Sequence, residues 1–169
     1  DGEVLSFVSL PAYDPNKFAV GIDAGSWTSL NRDPLRPLNN RVLQNRFSPG
    51  STFKIVVTSA ALQEGIVTPD TRIDCAAELP GQRYRLRDTR ENGVLTVAEI
   101  VAKSSNRGAA HIGIMLGAQR LYDYCRAFGF GQETGYGLGG EVAGMLHKVR
   151  DWDGLTITRL PMGHAVGVT

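Results

Sequence analysis

Apolar positions fall in short alternating runs near the two ends of this chain and in longer helix-like runs through its middle. Asp1-Gly2 is a hairpin-turn signal, and the run Val4-Leu5-Ser6-Phe7-Val8-Ser9 after it reads as a strand. Leu10 to Pro37 is rich in Pro, Asn, Asp, Gly and Ser and reads as loops with short elements, followed by a short helix over Asn40 to Arg46. The run Ile55 to Leu62 predicts a helix that ends at Gly65, with Ser48 as its cap and Pro49 at its first position. Strand-like pieces follow at Arg72 to Cys75 and Gln82 to Arg87, where Tyr84 and Leu86 alternate with arginines. Thr96-Val97-Ala98-Glu99 is a capping box opening a helix to about Lys103. Two further helices are expected over Arg107 to Leu116 and Ala118 to Phe128, closed by Gly117 and Gly129. A glycine-rich loop then runs to Gly144, and Ala165 to Thr169 stops with neither breaker nor cap. Helices thus dominate the middle of the chain.

Composition narrows the function classes. The 169 residues are 42% hydrophobic and 21% charged, enough for one globular domain with a core. A net charge of +1 without a block of like charges argues against a nucleic-acid or membrane-surface partner. Arg83, Arg85, Arg87 and Arg90 are interleaved by Glu78, Asp88 and Glu91 and read as a solvated strand face. No stretch approaches the roughly 18 apolar residues of a spanning helix. His111, His147 and His164 are scattered and no Cys-x-x-Cys occurs, so no metal site is expected. A disulfide between Cys75 and Cys125 stays open, although Cys125, inside a helical run, reads as a small buried apolar residue. Gly135, Gly137 and Gly140 spell Gly-x-Gly-x-x-Gly, but no buried strand precedes them and no helix follows, so no dinucleotide cofactor is expected.

Chemistry concentrates at Ser48-Pro49-Gly50-Ser51-Thr52-Phe53-Lys54. Three residues on a helix is just under one turn, so the Ser51 hydroxyl and the Lys54 amine can share a face, with Lys54 as a base for Ser51. In the first turn, free N–H groups and the positive dipole end favour an alkoxide or oxyanion. The plain alternative is a first-turn serine beside a solvated lysine. Ser104-Ser105-Asn106 offers a second hydroxyl and an amide that could relay a proton and orient a substrate. Ser29-x-Asn31 has the same spacing, but Ser104 follows a capped helix, where a tight turn can aim both side chains one way. Helix-end capping is the plain reading of Ser104 and Asn106.

With these motifs the chain resembles the transpeptidase domain of class B, monofunctional, penicillin-binding proteins. Ser9-Leu10-Pro11-Ala12-Tyr13-Asp14-Pro15-Asn16, the Ser51 segment, Ser104-Ser105-Asn106, Phe128-Gly129-Phe130-Gly131, and Met162-Gly163-His164-Ala165-Val166-Gly167 occur in the family's order. The resemblance implies an α+β architecture, part of the penicillin-binding/β-lactamase-like transpeptidase fold: a helical subdomain plus part of an antiparallel sheet. It also implies a peptidoglycan D,D-transpeptidase without a cofactor, in which Ser51 is the nucleophile, Lys54 its base, Ser104 a proton relay and Asn106 an orienting group, with the Ser51 N–H in the oxyanion hole. The implied partners are the D-alanyl-D-alanine end of a stem peptide, β-lactam antibiotics and the cell-wall synthesis machinery. The implied location is the extracytoplasmic, periplasmic side of the cytoplasmic membrane, reached through an anchor outside this chain. The family's third motif, Lys-Thr-Gly or Lys-Ser-Gly, does not occur in the sequence. Residues 1–169 are therefore expected to be one partial transpeptidase domain, truncated at both ends and inactive alone. Rival readings are a β-lactamase or penicillin sensor, for which no Glu-x-x-Leu-Asn or Tyr-Gly-Asn is found, and a non-catalytic cell-wall binding module.

Overall fold

The computed structural model describes residues 3–79 and 86–169 and divides into two compact units. The smaller comprises residues up to Asn45 together with Gly135–Val142 and Thr169. It holds three short helices: α1, Asn16–Ala19; α2, Ala24–Arg32, capped by the Asp23 side chain on the Ser26 N–H; and α3, Arg41–Gln44, capped by Asn40. Ser9 ties its own segment to the start of α3, accepting from the Arg41 N–H at 3.0 Å and donating to the Asn39 carbonyl at 3.3 Å. The expected helix over Asn40 to Arg46 is thus present in shortened form.

The expected strand at Val4–Ser9 does not form. Among the described residues nothing pairs with it, and Leu5 is 93% exposed. A strand gains its backbone hydrogen bonds only from a neighbour, so an alternating pattern without a partner leaves extended but irregular chain. Asp1-Gly2 and most of the expected strand at Gln82–Arg87 lie outside the described residues; Leu86 and Arg87 are in loop.

The larger unit, Arg46–Thr134 with Ala143–Val168, is built around α4, Lys54–Gln63. Val56, Val57, Ala60 and Ala61 are buried along it, and it ends as its glycine predicts, with Gly65 at φ +64° and the Ile66 N–H reaching back to the Ala61 carbonyl. Strand β1, Arg72–Asp74, pairs antiparallel with β2, Val94–Thr96, in the register Ile73 opposite Leu95. The capping box then starts α5, Val97–Ala102: the Glu99 N–H donates to Thr96 Oγ1 at 3.1 Å and the Thr96 N–H to Glu99 at 2.9 Å. Helices α6, Asn106–Leu116, and α7, Ala118–Ala127, follow as expected, joined at Gly117. A second ribbon pairs β3, Met145–Leu146, antiparallel with β4, Val166–Gly167, and the short α8, Thr156–Arg159, lies between them in sequence. The run from Ala165 therefore contributes a strand.

Phe53, Val57, Ile100, Ile112, Leu116, Leu121 and Leu160 are all at most 1% exposed and belong to one core. Each such side chain contributes about 1.5–3 kcal/mol of burial free energy, which fixes α4 against α5, α6 and α7. Glycines bring elements closer still: a Cβ on Gly113 of α6 would lie 2.3 Å from Pro161 Cγ. Cys75 and Cys125 are both buried free thiols, so the disulfide left open by the sequence is absent. Burial pushes the Cys125 thiol up to about 12, which keeps it protonated. The described residues contain no helix long and apolar enough to cross a membrane.

Candidate active site

Ser51 and Lys54 meet through a local geometry that differs from the expected one. The chain enters α4 by a 3₁₀ turn, Gly50–Phe53, with Pro49 in the cap position and no side-chain cap from Ser48. Gly50 stands at φ +63°, a left-handed conformation that favours glycine. In a 3₁₀ turn residues three apart eclipse one another, so the hydroxyl of Ser51 lies under the side chain of Lys54. Lys54 Nζ is 3.1 Å from Ser51 Oγ. Ser51 is exposed whereas Lys54 is 2% exposed, so a reagent can reach the hydroxyl while the amine is withdrawn from water.

The second motif closes around the same amine. Nζ of Lys54 donates to Ser104 Oγ at 2.8 Å, to the Ser104 carbonyl at 2.6 Å and to Asn106 Oδ1 at 2.8 Å. Ser104 Oγ in turn donates to Ser51 Oγ at 3.0 Å. A charged ammonium has three protons for these four oxygens, and a neutral amine has two protons and a lone pair able to take the proton of Ser51. Burial pushes the Lys54 amine below the ordinary lysine value of 10.5, and the negative charge of Asp88 partly counteracts that. The arrangement can activate a hydroxyl as a nucleophile and pass its proton onward through Ser104.

Ser104 holds its place at a conformational cost. Its φ of 55° lies in the left-handed region, which for a residue other than glycine costs on the order of 1–3 kcal/mol. The turn between α5 and α6 imposes it, with the Ser104 N–H on the Val101 carbonyl and the Ser105 N–H on the Ile100 carbonyl. Asn106 is the first residue of α6, and its amide also donates to the Arg87 carbonyl at 3.2 Å. Ser29 and Asn31, the alternative by spacing, lie on α2 in the smaller unit, where the Asn31 amide donates to the Trp27 carbonyl. The glycines from Gly135 to Gly140 sit in irregular chain with no helix after them, as the sequence suggested.

Sequence reasoning missed Asp88, which it placed on a solvated strand face. The carboxylate is half-buried and accepts from the Ser105 hydroxyl at 2.7 Å, from the N–H groups of Asn106 at 2.5 Å and Arg107 at 2.9 Å, and from Asn92 at 2.7 Å. Burial pushes this carboxyl up, but the hydrogen bonds from Asn92, Ser105, Arg107 and Asn106 outweigh it and hold Asp88 below its ordinary value. Nothing in the local pattern marks it, because its partners at the start of α6 lie 17–19 residues further along the chain and only Asn92 is near in sequence.

A family model described as the penicillin binding protein transpeptidase domain matches residues 1–169. The penicillin-binding protein PbpB of Mycobacterium tuberculosis is 32% identical over 170 residues, covering 99% of this chain and 23% of that protein. The peptidoglycan D,D-transpeptidase MrdA of Escherichia coli K12 is 35% identical over 155 residues, 89% of this chain and 24% of that protein. Among solved structures, Pseudomonas aeruginosa PBP2 in complex with WCK 5153 matches with a TM-score of 0.82 at 30% identity, over 96% of this chain and 40% of that one. The imipenem acyl-enzyme complex of penicillin-binding protein A from M. tuberculosis matches with a TM-score of 0.82 at 30% identity, over 99% of this chain and 40% of that one. The chain spans about a quarter of the length of the curated relatives it matches.

Proposed function

Since this chain belongs to the penicillin binding protein transpeptidase domain family, we propose that the protein carrying it is a serine-type peptidoglycan D,D-transpeptidase and that Ser51 is its nucleophile. The observation that carries the reading is the convergence of Ser51, Ser104 and Asn106 on one buried amine, that of Lys54. Two similar proteins support it: one is named a peptidoglycan D,D-transpeptidase, and one solved neighbour is an acyl-enzyme complex with imipenem.

On this reading Ser51 Oγ attacks the carbonyl carbon of the penultimate D-alanine of a stem peptide. Neutral Lys54 takes the hydroxyl proton as the new C–O bond forms. Developing charge on the carbonyl oxygen is met by the Ser51 N–H at the start of the 3₁₀ turn. Ser104, between the two groups, returns the proton to the leaving nitrogen, so that the C–N bond breaks and free D-alanine departs from an acyl-Ser51 ester. An amine of a second stem then attacks the ester, its proton passing back through Ser104 and Lys54 to the Ser51 oxygen as the cross-link forms. Asn106 holds the Lys54 amine and offers its side chain to the substrate amide. A β-lactam follows the first half of the path, its ring amide standing in for the D-alanyl-D-alanine bond. Residues 1–169 are on this view part of one transpeptidase domain, acting on the extracytoplasmic side of the cytoplasmic membrane.

Intact-mass analysis and peptide mapping of the full-length protein after incubation with benzylpenicillin test the assignment. An adduct confined to Ser51 and lost in Ser51→Ala is expected. An adduct on another residue, or undiminished labelling of the alanine variant, would overturn it.

A further inference from the structure

Asp88 touches neither Ser51 nor any atom that reacts, yet it contacts two of the three residues of the turn that surrounds Lys54 together with the residue after them. One carboxylate oxygen accepts the N–H groups of Asn106 and Arg107, the first two residues of α6, while the other accepts the Ser105 hydroxyl. Ser105 Oγ accepts the next free donor, the Gly108 N–H, at 2.9 Å. Three N–H groups at the start of α6 are thereby satisfied by one carboxylate and one hydroxyl, and a negative charge sits at the positive end of the helix dipole. The consequence for Lys54 is geometric: Asn106, whose Oδ1 the amine contacts, is held by its backbone N–H on this carboxylate, and Ser105, held by its hydroxyl, joins it to Ser104.

Asp88 is itself fixed from the other side. Asn92 donates to it from the same loop, and Arg107 spans from α6 to the carbonyls of Cys75, Ala76, Ala77 and Leu86, so its guanidinium is spent on backbone oxygens and not on the carboxylate. The remaining charged groups on the elements packed against α4 are engaged elsewhere or exposed. Glu99 of α5 pairs at 3.3 Å with Lys103 just past the end of that helix, Arg120 of α7 pairs with Glu64 at 3.4 Å, and Arg159 is exposed beside the 160–162 turn. His111 lies further along α6, where burial holds it below its ordinary value and hence neutral. Among the described residues, the negative charge of Asp88 acts against the burial of Lys54.

We propose that Asp88 is a positioning residue for the Ser51–Lys54 pair: its carboxylate locks the Ser104–Asn106 turn onto the Lys54 amine and supplies the negative charge facing that amine. The inference rests on the reading of Ser51 as nucleophile only for its kinetic consequence. The placement and the charge can be measured without turnover.

The test uses the full-length protein labelled with [13Cε]lysine, with the Lys54 resonance identified by its loss in Lys54→Arg. In Asp88→Asn, which keeps an oxygen acceptor but removes the charge, the Lys54 amine is expected to titrate at lower pH than in the parent. In Ser105→Ala, which removes a hydrogen bond and keeps the charge, it should titrate as in the parent. Acylation by benzylpenicillin should slow by about ten- to a hundredfold in Asp88→Asn, because small misplacements of reacting groups are costly. A Lys54 titration unchanged in Asp88→Asn would overturn the proposal, whereas parent protein labelled at a residue other than Ser51 would overturn only the assignment of the nucleophile. If Asp88→Asn does not fold by circular dichroism, Asp88→Glu decides. Slower acylation with an unmoved Lys54 titration supports the positioning role, and acylation at the parent rate overturns it.

Discussion

Gly163 stands against Gly50 so closely that a Cβ on it would lie 2.0 Å from the Gly50 carbonyl oxygen and 2.5 Å from its nitrogen. The two backbones are also joined by the Gly50 N–H donating to the Gly163 carbonyl at 3.2 Å. Gly50 immediately precedes Ser51, and Gly163 ends the 160–162 turn at φ +79°. Backbone cannot swing aside as a long side chain can, so this contact sets where the Ser51 turn begins.

Gly163→Ala therefore has to displace the Ser51 turn as well as adopt a left-handed backbone. It is expected to cost about 1–3 kcal/mol of stability and to slow acylation more than the lost folded fraction explains. Urea denaturation alongside stopped-flow labelling with a fluorescent penicillin separates the two effects. Acylation at the parent rate per folded molecule would show that the contact does not position Ser51.

Lys54→Arg isolates the proton transfer. A guanidinium keeps the charge but stays protonated, so it cannot take the Ser51 proton. Acylation should fall by orders of magnitude while circular dichroism shows a folded protein. In the parent, burial lowers the amine, so the neutral form gains population as pH rises towards a value below 10.5, and the acylation rate should climb along that limb. A pH profile of benzylpenicillin acylation checks this, and a flat profile in the alkaline range would remove Lys54 as the base.

Asp88 should leave a mark on acid stability. Its carboxyl is lower in the folded state than the ordinary 3.8, so the folded protein binds fewer protons than the unfolded one between the two values. The stabilisation is full above the unfolded value and is lost as pH falls through the folded one. Urea midpoints measured as pH falls through 3.8 and below should thus drop more steeply for the parent than for Asp88→Asn, and equal slopes would contradict the depressed carboxyl.

Gly113→Ala sets helix propensity against packing. Alanine gains about 1 kcal/mol in a helix interior, but its Cβ would meet Pro161 Cγ at 2.3 Å and the Ile157 carbonyl at 3.2 Å. Overpacking of this kind costs about 1–3 kcal/mol, so a net loss is expected, visible as a lower urea midpoint. A raised midpoint would mean that α6 and the 160–162 turn can move apart freely.

The parts of the site readable in the sequence are those set by near neighbours. Ser51 and Lys54 are three residues apart, the Thr96–Glu99 box starts α5, and Ser104 to Asn106 follows within a few residues, so local rules reach each segment separately. The same rules fail where a contact needs a distant partner or a backbone state that residue type does not announce. Ser48 looks like a cap, but the chain enters by a 3₁₀ turn, Gly50–Phe53, with Pro49 in the cap position. Val4–Ser9 alternates like a strand and finds no neighbour among the described residues. Asp88 looks like one charge among several arginines, and its function as a cap depends on a helix start 17–19 residues away.

The sequence by itself determined the helical runs, the serine and lysine at one turn's spacing, and the order of motifs that points to the family, because each depends on residues close together in the chain. The tertiary structure alone decided that Lys54 is buried, that Ser104 and Asn106, 50 and 52 residues onward, supply its oxygens, and that Asp88 and Gly163 hold the two segments in place. Those outcomes depend on which buried surfaces α4 and α6 share, and core packing, not spacing, brings those helices together.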